Sequence, residues 1–117
     1  QKEALEIWDK MSRDFADERG VWVFMGDCMA RMGRYEEAKK QYRKSMEVQT
    51  QIPRYLDGLA SIAHICKIQG DWDGAIATKE EELVILREEW NITSGEEIDA
   101  RRREIARIKE AKDTINS

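Results

Sequence analysis

Residues 22–42, WVFMGDCMARMGRYEEAKKQY, share a pattern of side chains with residues 59–79, LASIAHICKIQGDWDGAIATK. Five pairs of positions match at a constant separation of 37 residues: Trp22 with Leu59, Gly26 with Ala63, Gly33 with Gly70, Tyr35 with Trp72, and Ala38 with Ala75. A period of this length is typical of proteins built from stacked supersecondary units. The sequence therefore predicts an internal repeat.

Part of an earlier unit precedes these two. Ala4, Trp8 and Met11 recur as Ala38, Tyr42 and Ser45 at a separation of 34 residues. The second interval is longer because residues 50–54 form a linker around Pro53, which disfavours helix at Ile52. We expect one domain over residues 1–117: the second helix of a partial repeat plus linker (1–18), two repeats (19–55 and 56–90), and a capping helix (91–117).

Each complete unit is predicted to be two helices joined by a tight turn, over residues 21–32 and 35–48, then 55–69 and 72–90. Trp22, Met25 and Met29 have the i, i+3, i+7 spacing of a buried stripe. Gly33 stands where a helix ends and can adopt the left-handed conformation that closes it. Gly26 is small enough to let two helices approach closely.

Composition agrees with an all-α fold. The 117 residues include 38% charged and 41% hydrophobic residues but one proline, a balance typical of amphipathic helices with charged outer faces. The net charge is −4, so no strong field of one sign favours nucleic acid or a membrane surface. No apolar run approaches the roughly 18 residues of a membrane span.

These motifs resemble the tetratricopeptide repeat family, in its bacterial-type form. The family signature runs aromatic-x-x-Leu-Gly-x-x-Tyr, then Ala-x-x-x-Phe. Residues 22–29 and the pair Ala38 and Tyr42 match it closely, residues 59–75 match most of it, and Lys79 and Glu82 depart from it. The resemblance implies antiparallel helix hairpins in a superhelix, an α-solenoid, with the last helix as a C-terminal cap.

The resemblance also implies a function, because the first helices of successive repeats line a concave groove that holds a peptide or protein segment. Matching positions assign eight residues to this groove: Val23, Asp27, Ala30, Arg31, Ala60, His64, Lys67 and Ile68. We expect substitution of Asp27 or Lys67 to change partner binding and to leave stability nearly unchanged.

Some family members hold a chaperone's terminal carboxylate with lysine and asparagine side chains. This sequence has Val23, Asp27 and Ser61 at the matching places, and the Asp27 carboxylate would repel such a ligand. A role as an adaptor for chaperone tails is therefore disfavoured. A peptide with charges of both signs and small apolar residues fits the groove composition better.

Catalysis is not expected. The sequence contains no nucleophile beside a base, no glycine-rich phosphate loop, and only one histidine, His64, so we expect no cofactor and no metal site. Cys28 and Cys66 lie in apolar helical stretches, where buried reduced thiols are the usual state. Residues 1–15 lack the features of a signal peptide, and a cytoplasmic location is expected.

The last predicted helix, residues 96–115, has a thin apolar stripe of Ile98, Ile105, Ile108 and Ile115. Its run Arg101-Arg102-Arg103 is a candidate for nucleic-acid contact, but nearby acidic residues almost neutralise it. We instead expect exposed ion pairs between these arginines and residues 80–82, worth roughly 0 to 1 kcal/mol each.

An alternative function is structural. The chain opens with half of a repeat, so Leu5, Ile7, Trp8 and Met11 are predicted to lack full cover at the start of the stack. Exposed apolar ends of this kind often self-associate. A homodimer through exposed repeat ends, or a spacer within a larger repeat protein, is the second hypothesis.

Overall fold

The computed structural model describes residues 2–116, which form six helices: α1 (Lys2–Asp14), α2 (Arg19–Arg31), α3 (Tyr35–Glu47), α4 (Asp57–Ile68), α5 (Trp72–Glu88) and α6 (Glu96–Asn116). The all-α prediction is confirmed, since residues 2–116 contain helices and turns and no strand. Gln1 and Ser117, the ends of the predicted domain, lie outside the described residues.

Helix α4 begins at Asp57, later than the predicted start at Tyr55. The reason is that the backbone before α4 is engaged elsewhere. The Arg54 amide donates to Glu89 Oε1 at 3.1 Å, and the Tyr55 amide donates to Gln49 Oε1 at 2.8 Å. Residues 53–56 are therefore held as a linker against the ends of α3 and α5.

Successive helices pack on one another along the chain. Helices α5 and α6 are antiparallel, because Arg101 meets Glu82 while Lys112, further along α6, meets Asp73 at the start of α5. Three-residue connections at 32–34 and 69–71 turn the chain back after α2 and α4. The Cα atoms span 44 × 36 × 17 Å, so the helices form a flattened body.

The two short connections have the same geometry. Gly33 and Gly70 have φ angles of 75° and 72°, the left-handed conformation predicted for them. The next amide in each case bonds back to the preceding helix, from Arg34 to the Met29 carbonyl at 2.9 Å and from Asp71 to the Cys66 carbonyl at 2.8 Å. The two connections thus repeat the same hydrogen bonds 37 positions apart.

Three ion pairs connect helices that are two apart in the chain. They join α2 to α4, α3 to α5 and α4 to α6, and the paired residues are 38, 38 and 37 positions apart: Arg19 with Asp57, Arg43 with Glu81, and Lys67 with Glu104. The offset between alternate helices is therefore nearly constant along the chain.

Close helix crossings occur where side chains are small. A Cβ atom at Gly26 would lie 2.5 Å from Tyr42 Cε1, so only glycine leaves room for that ring. Gly58 fills a similar place between α3 and α4, where a Cβ would lie 2.8 Å from the Tyr42 carbonyl oxygen. Gly26 could be predicted from the repeat, but Gly58 could not, because it lies outside the repeated pattern.

The apolar stripes predicted for the repeats are largely buried. Met25, Met29, Leu59 and Cys66 lie in the core. Trp22 departs from the prediction because it is only half-buried, with its indole N–H donating to the Ala16 carbonyl at 2.8 Å. The position is thus a bridge between the core and the connection before α2.

Helix α6 packs through charges as well as through its apolar stripe. Ile98, Ile105 and Ile108 are buried, but Ile115, predicted in the same stripe, is 66% exposed. Glu82 on α5 is fully buried and accepts from Arg101 Nε at 3.2 Å.

The expected exposed pairing of the α6 arginines with residues 80–82 is therefore wrong for Glu82, whose pair lies inside the interface. Lys79 Nζ also lies 2.9 Å from Glu82 Oε2, but that oxygen accepts no aligned hydrogen bond, so the contact is a pure ion pair.

Candidate binding groove

A cleft of about 450 Å³ lies between α2 and α4 and is called here the α2–α4 groove. Its lining residues are Asp27, Ala30, Arg31, Tyr35, Tyr42, Ala60, Ser61, His64, Ile65 and Ile68. Six of the eight residues assigned to a groove from the sequence are among them: Asp27, Ala30, Arg31, Ala60, His64 and Ile68. The structure thus brings these six side chains to one surface.

Val23 and Lys67 do not line the groove. Val23 is half-buried and packs against the core. Lys67 turns towards α6, where its Nζ donates to Glu104 Oε1 at 2.9 Å. Position 67 satisfies the helical spacing of the groove, but α6 carries no repeat signature from which Glu104 could have been found as its partner.

Tyr42 lines the groove although it is not among the eight residues assigned from the sequence. Its ring lies against Gly26, and its hydroxyl donates to Asp27 Oδ1 at 2.6 Å. Burial, followed by the hydrogen bond to the Asp27 carboxylate, raises the pKa of Tyr42 well above its ordinary value. The phenol therefore stays protonated and acts as a permanent donor to Asp27.

This hydrogen bond corrects the prediction for Asp27. The carboxylate was expected to affect partner binding and not stability, but it also accepts a hydrogen bond from the hydroxyl of the buried Tyr42. A buried donor that loses its acceptor costs about 1–3 kcal/mol. Lys67 also has a partner within the protein, since its ammonium group pairs with Glu104 in a partly exposed ion pair.

The floor and the mouth of the groove differ in chemistry. Ala30 and Ala60 contribute only methyl groups, which leaves the two helix backbones close to a ligand. Arg31 and His64 are exposed, and neither has an ion pair or hydrogen bond to another residue in the range 2–116. Ile68 is 53% exposed beside them. The groove therefore offers free basic groups next to apolar surface.

A second depression lies on the outer face of α1 and is called here the α1 face. It is lined by Glu3, Glu6, Ile7, Lys10 and Met11, and Ile7 is 55% exposed. The predicted lack of cover is therefore found at Ile7.

Leu5 and Trp8 are covered in part. Both are half-buried and pack against the core. The Trp8 ring also meets Trp22 edge-on, with the ring centres 6.3 Å apart. Helix α2 supplies this partial cover.

Cys28 and Cys66 are both buried free thiols in the described part of the chain, and burial raises the pKa of Cys66. Between residues 2 and 116 no three His, Cys, Asp or Glu side chains converge as a metal site would require. In the same range, no helix has the length and apolar character needed to cross a bilayer. Comparison of the chain with known family models and with curated protein sequences found no match.

Proposed function

We propose that this chain is a tetratricopeptide-like α-solenoid module that binds a peptide or protein segment in the α2–α4 groove and has no catalytic role. The solenoid part is supported by the two equivalent turns at Gly33 and Gly70 and by the near-constant offset of the three ion pairs between alternate helices. Stacked repeats have such regular offsets because each unit contacts its neighbours in the same way. In this proposal α6 caps the stack.

The observation that carries the binding function is the groove itself. Six positions assigned from the family resemblance line one cleft of about 450 Å³, within the size range of pockets that bind small ligands. The small side chains of Ala30 and Ala60 expose backbone to a ligand, while Arg31 and His64 have unused donors. A cytoplasmic location belongs to the same proposal and is supported by the two free thiols.

A bulky side chain in the groove tests the proposal. Ala60 and Ala77 are both exposed helical alanines, but only Ala60 lines the groove. Partners captured from the native cell extract by the wild-type protein should be lost with Ala60→Trp and retained with Ala77→Trp. Retention of every partner by Ala60→Trp, with an unchanged circular dichroism spectrum, would contradict groove binding.

Self-association through the α1 face is the second candidate, favoured by the exposed Ile7 between acidic and basic side chains. Sedimentation equilibrium over a wide concentration range tests it. Ile7→Lys should abolish any dimer, while Ile52→Lys, at a site that is 75% exposed elsewhere, should not. A wild-type protein that stays monomeric at every concentration would remove this candidate.

A further inference from the structure

Building on the proposed function, we propose that the segment bound in the α2–α4 groove is acidic and apolar. Its carboxylate side chains pair with Arg31 and His64, and a neighbouring apolar side chain packs on Ile68. The occupant is a separate partner protein with this chemistry, presenting an extended segment.

Unpaired basic groups at the groove mouth are the first reason. The protein has 24 acidic residues against 20 lysines and arginines, so carboxylates are in excess. Many basic side chains are paired with them, and these include Arg34 with Glu37 and Lys67 with Glu104. Arg31 has no such partner among residues 2–116. Its guanidinium is therefore free to hold a carboxylate in a bidentate pair.

The positions of Asp27 and Arg31 determine the orientation in which the segment binds. Asp27 is the one carboxylate that lines the groove, and it is half-buried with its Oδ1 taken by the Tyr42 hydroxyl. Arg31 follows it by one helical turn. A ligand carboxylate is repelled near Asp27 and attracted near Arg31, so the acidic part of the segment lies towards the end of α2.

Apolar surface lies at that same end. Ile68, more than half exposed, is followed by the turn at Gly70, while Ile65 and Tyr35 complete the wall. A leucine or similar side chain adjacent to the ligand carboxylate would cover Ile68. A purely acidic segment would leave this surface in water, which is why the inference requires both kinds of side chain.

The protein itself exposes a segment of similar chemistry. Phe15, Ala16, Asp17 and Glu18 form an exposed connection between α1 and α2, and Phe15 is 54% exposed. A second copy could present this connection to the groove. The experiment therefore includes a variant that tests for binding between two copies. If two copies bound each other in this way, the assignment to a separate partner would be overturned.

Selection from a random decapeptide library displayed on phage, with the immobilised protein as bait, provides the experiment. We expect the enriched peptides to combine aspartate or glutamate with a large apolar residue. Arg31→Glu should lower the affinity of the best acidic peptide about tenfold or more, as measured by fluorescence anisotropy. Arg31→Gln gives a milder change of the same sign. Lys40→Glu, the same charge reversal at an exposed site outside the groove, should leave the affinity unchanged.

The outcomes separate this inference from the function on which it rests. If basic or uncharged peptides were enriched and Ala60→Trp blocked their binding, the proposed acidic chemistry of the ligand would be overturned. The proposal that ligands bind in the groove would stand. Acidic peptides whose affinity is the same for wild type, Arg31→Glu and Arg31→Gln would also overturn the proposed acidic chemistry. No enriched peptide at all, together with no partner lost in Ala60→Trp, would overturn both. Oligomers that Phe15→Ser disperses would assign the groove to a second copy.

Discussion

Because Gly26 has no side chain, the Tyr42 ring packs directly against α2. In this position the Tyr42 hydroxyl donates a hydrogen bond to Asp27. One small residue thus fixes both a helix crossing and the hydrogen bond between Tyr42 and Asp27 in the groove. The sequence pattern pointed to Gly26 because it matches another small residue, Ala63, 37 positions later. It did not point to the hydrogen bond, which depends on how two helices cross and not on the spacing within either.

Replacement of Gly26 should be destabilising because the Tyr42 ring occupies the space of a side chain. We expect Gly26→Leu to lower the free energy of unfolding by about 1–3 kcal/mol or more. Gly20→Leu is the matched control, since a Cβ there meets nothing within 4 Å. Urea denaturation followed by circular dichroism measures both. Equal stability of the two variants would contradict the close crossing.

Asp27 and Tyr42 should be energetically coupled. We expect Asp27→Ala to cost about 1–3 kcal/mol of stability, because the buried phenol loses its acceptor. In a Tyr42→Phe background the same substitution should cost much less, since no hydroxyl remains to be satisfied. A double-mutant cycle by chemical denaturation measures the coupling. Additive costs would show that the hydrogen bond contributes nothing.

Helix α6 is the element least determined by the repeat pattern. Its apolar stripe is interrupted, and its position depends on pairs such as Lys67 with Glu104 and Arg101 with Glu82, which come from three different helices. The turns at Gly33 and Gly70 could be predicted because each is specified by a local stretch of sequence. Ion pairs between distant segments could not, because the charges alone allow many partners.

The contact between α6 and α4 should make stability depend on pH. Burial alone would raise the pKa of Glu104, but the hydrogen bond from Lys67 and the charge of Lys79 outweigh it and lower the pKa below the ordinary value. Because the folded state holds the proton less tightly than the unfolded state, this stabilisation is full above the ordinary pKa. It is lost as the pH falls through the folded-state pKa.

We therefore expect wild-type stability to fall between about pH 5 and pH 3, and Glu104→Gln to lose less stability over that interval. Glu110→Gln, an exposed change on the same helix, should keep the wild-type dependence. Thermal unfolding at closely spaced pH values measures the three curves. Identical curves for wild type and Glu104→Gln would contradict the role given to this carboxylate.

Across the whole molecule, alternate helices lie at a nearly constant offset, and the groove is the surface that this arrangement leaves between α2 and α4. Positions such as Asp27 and His64 could be assigned to it from the sequence because they are equivalent places in the two repeats, 37 residues apart. Tyr35 and Ile65 line it as well, and the matching of first-helix positions missed them. Their place in the groove depends on how the helices pack, which the spacing within one helix does not specify.

Amide chemical shifts of ¹⁵N-labelled protein, recorded by NMR while a peptide selected from the library is added, test groove binding most directly. We expect the largest changes at Ala30, Ala60 and His64, with α1 and α6 nearly unaffected. Changes concentrated on the α1 face around Ile7, or spread evenly over the molecule, would contradict a binding site between α2 and α4.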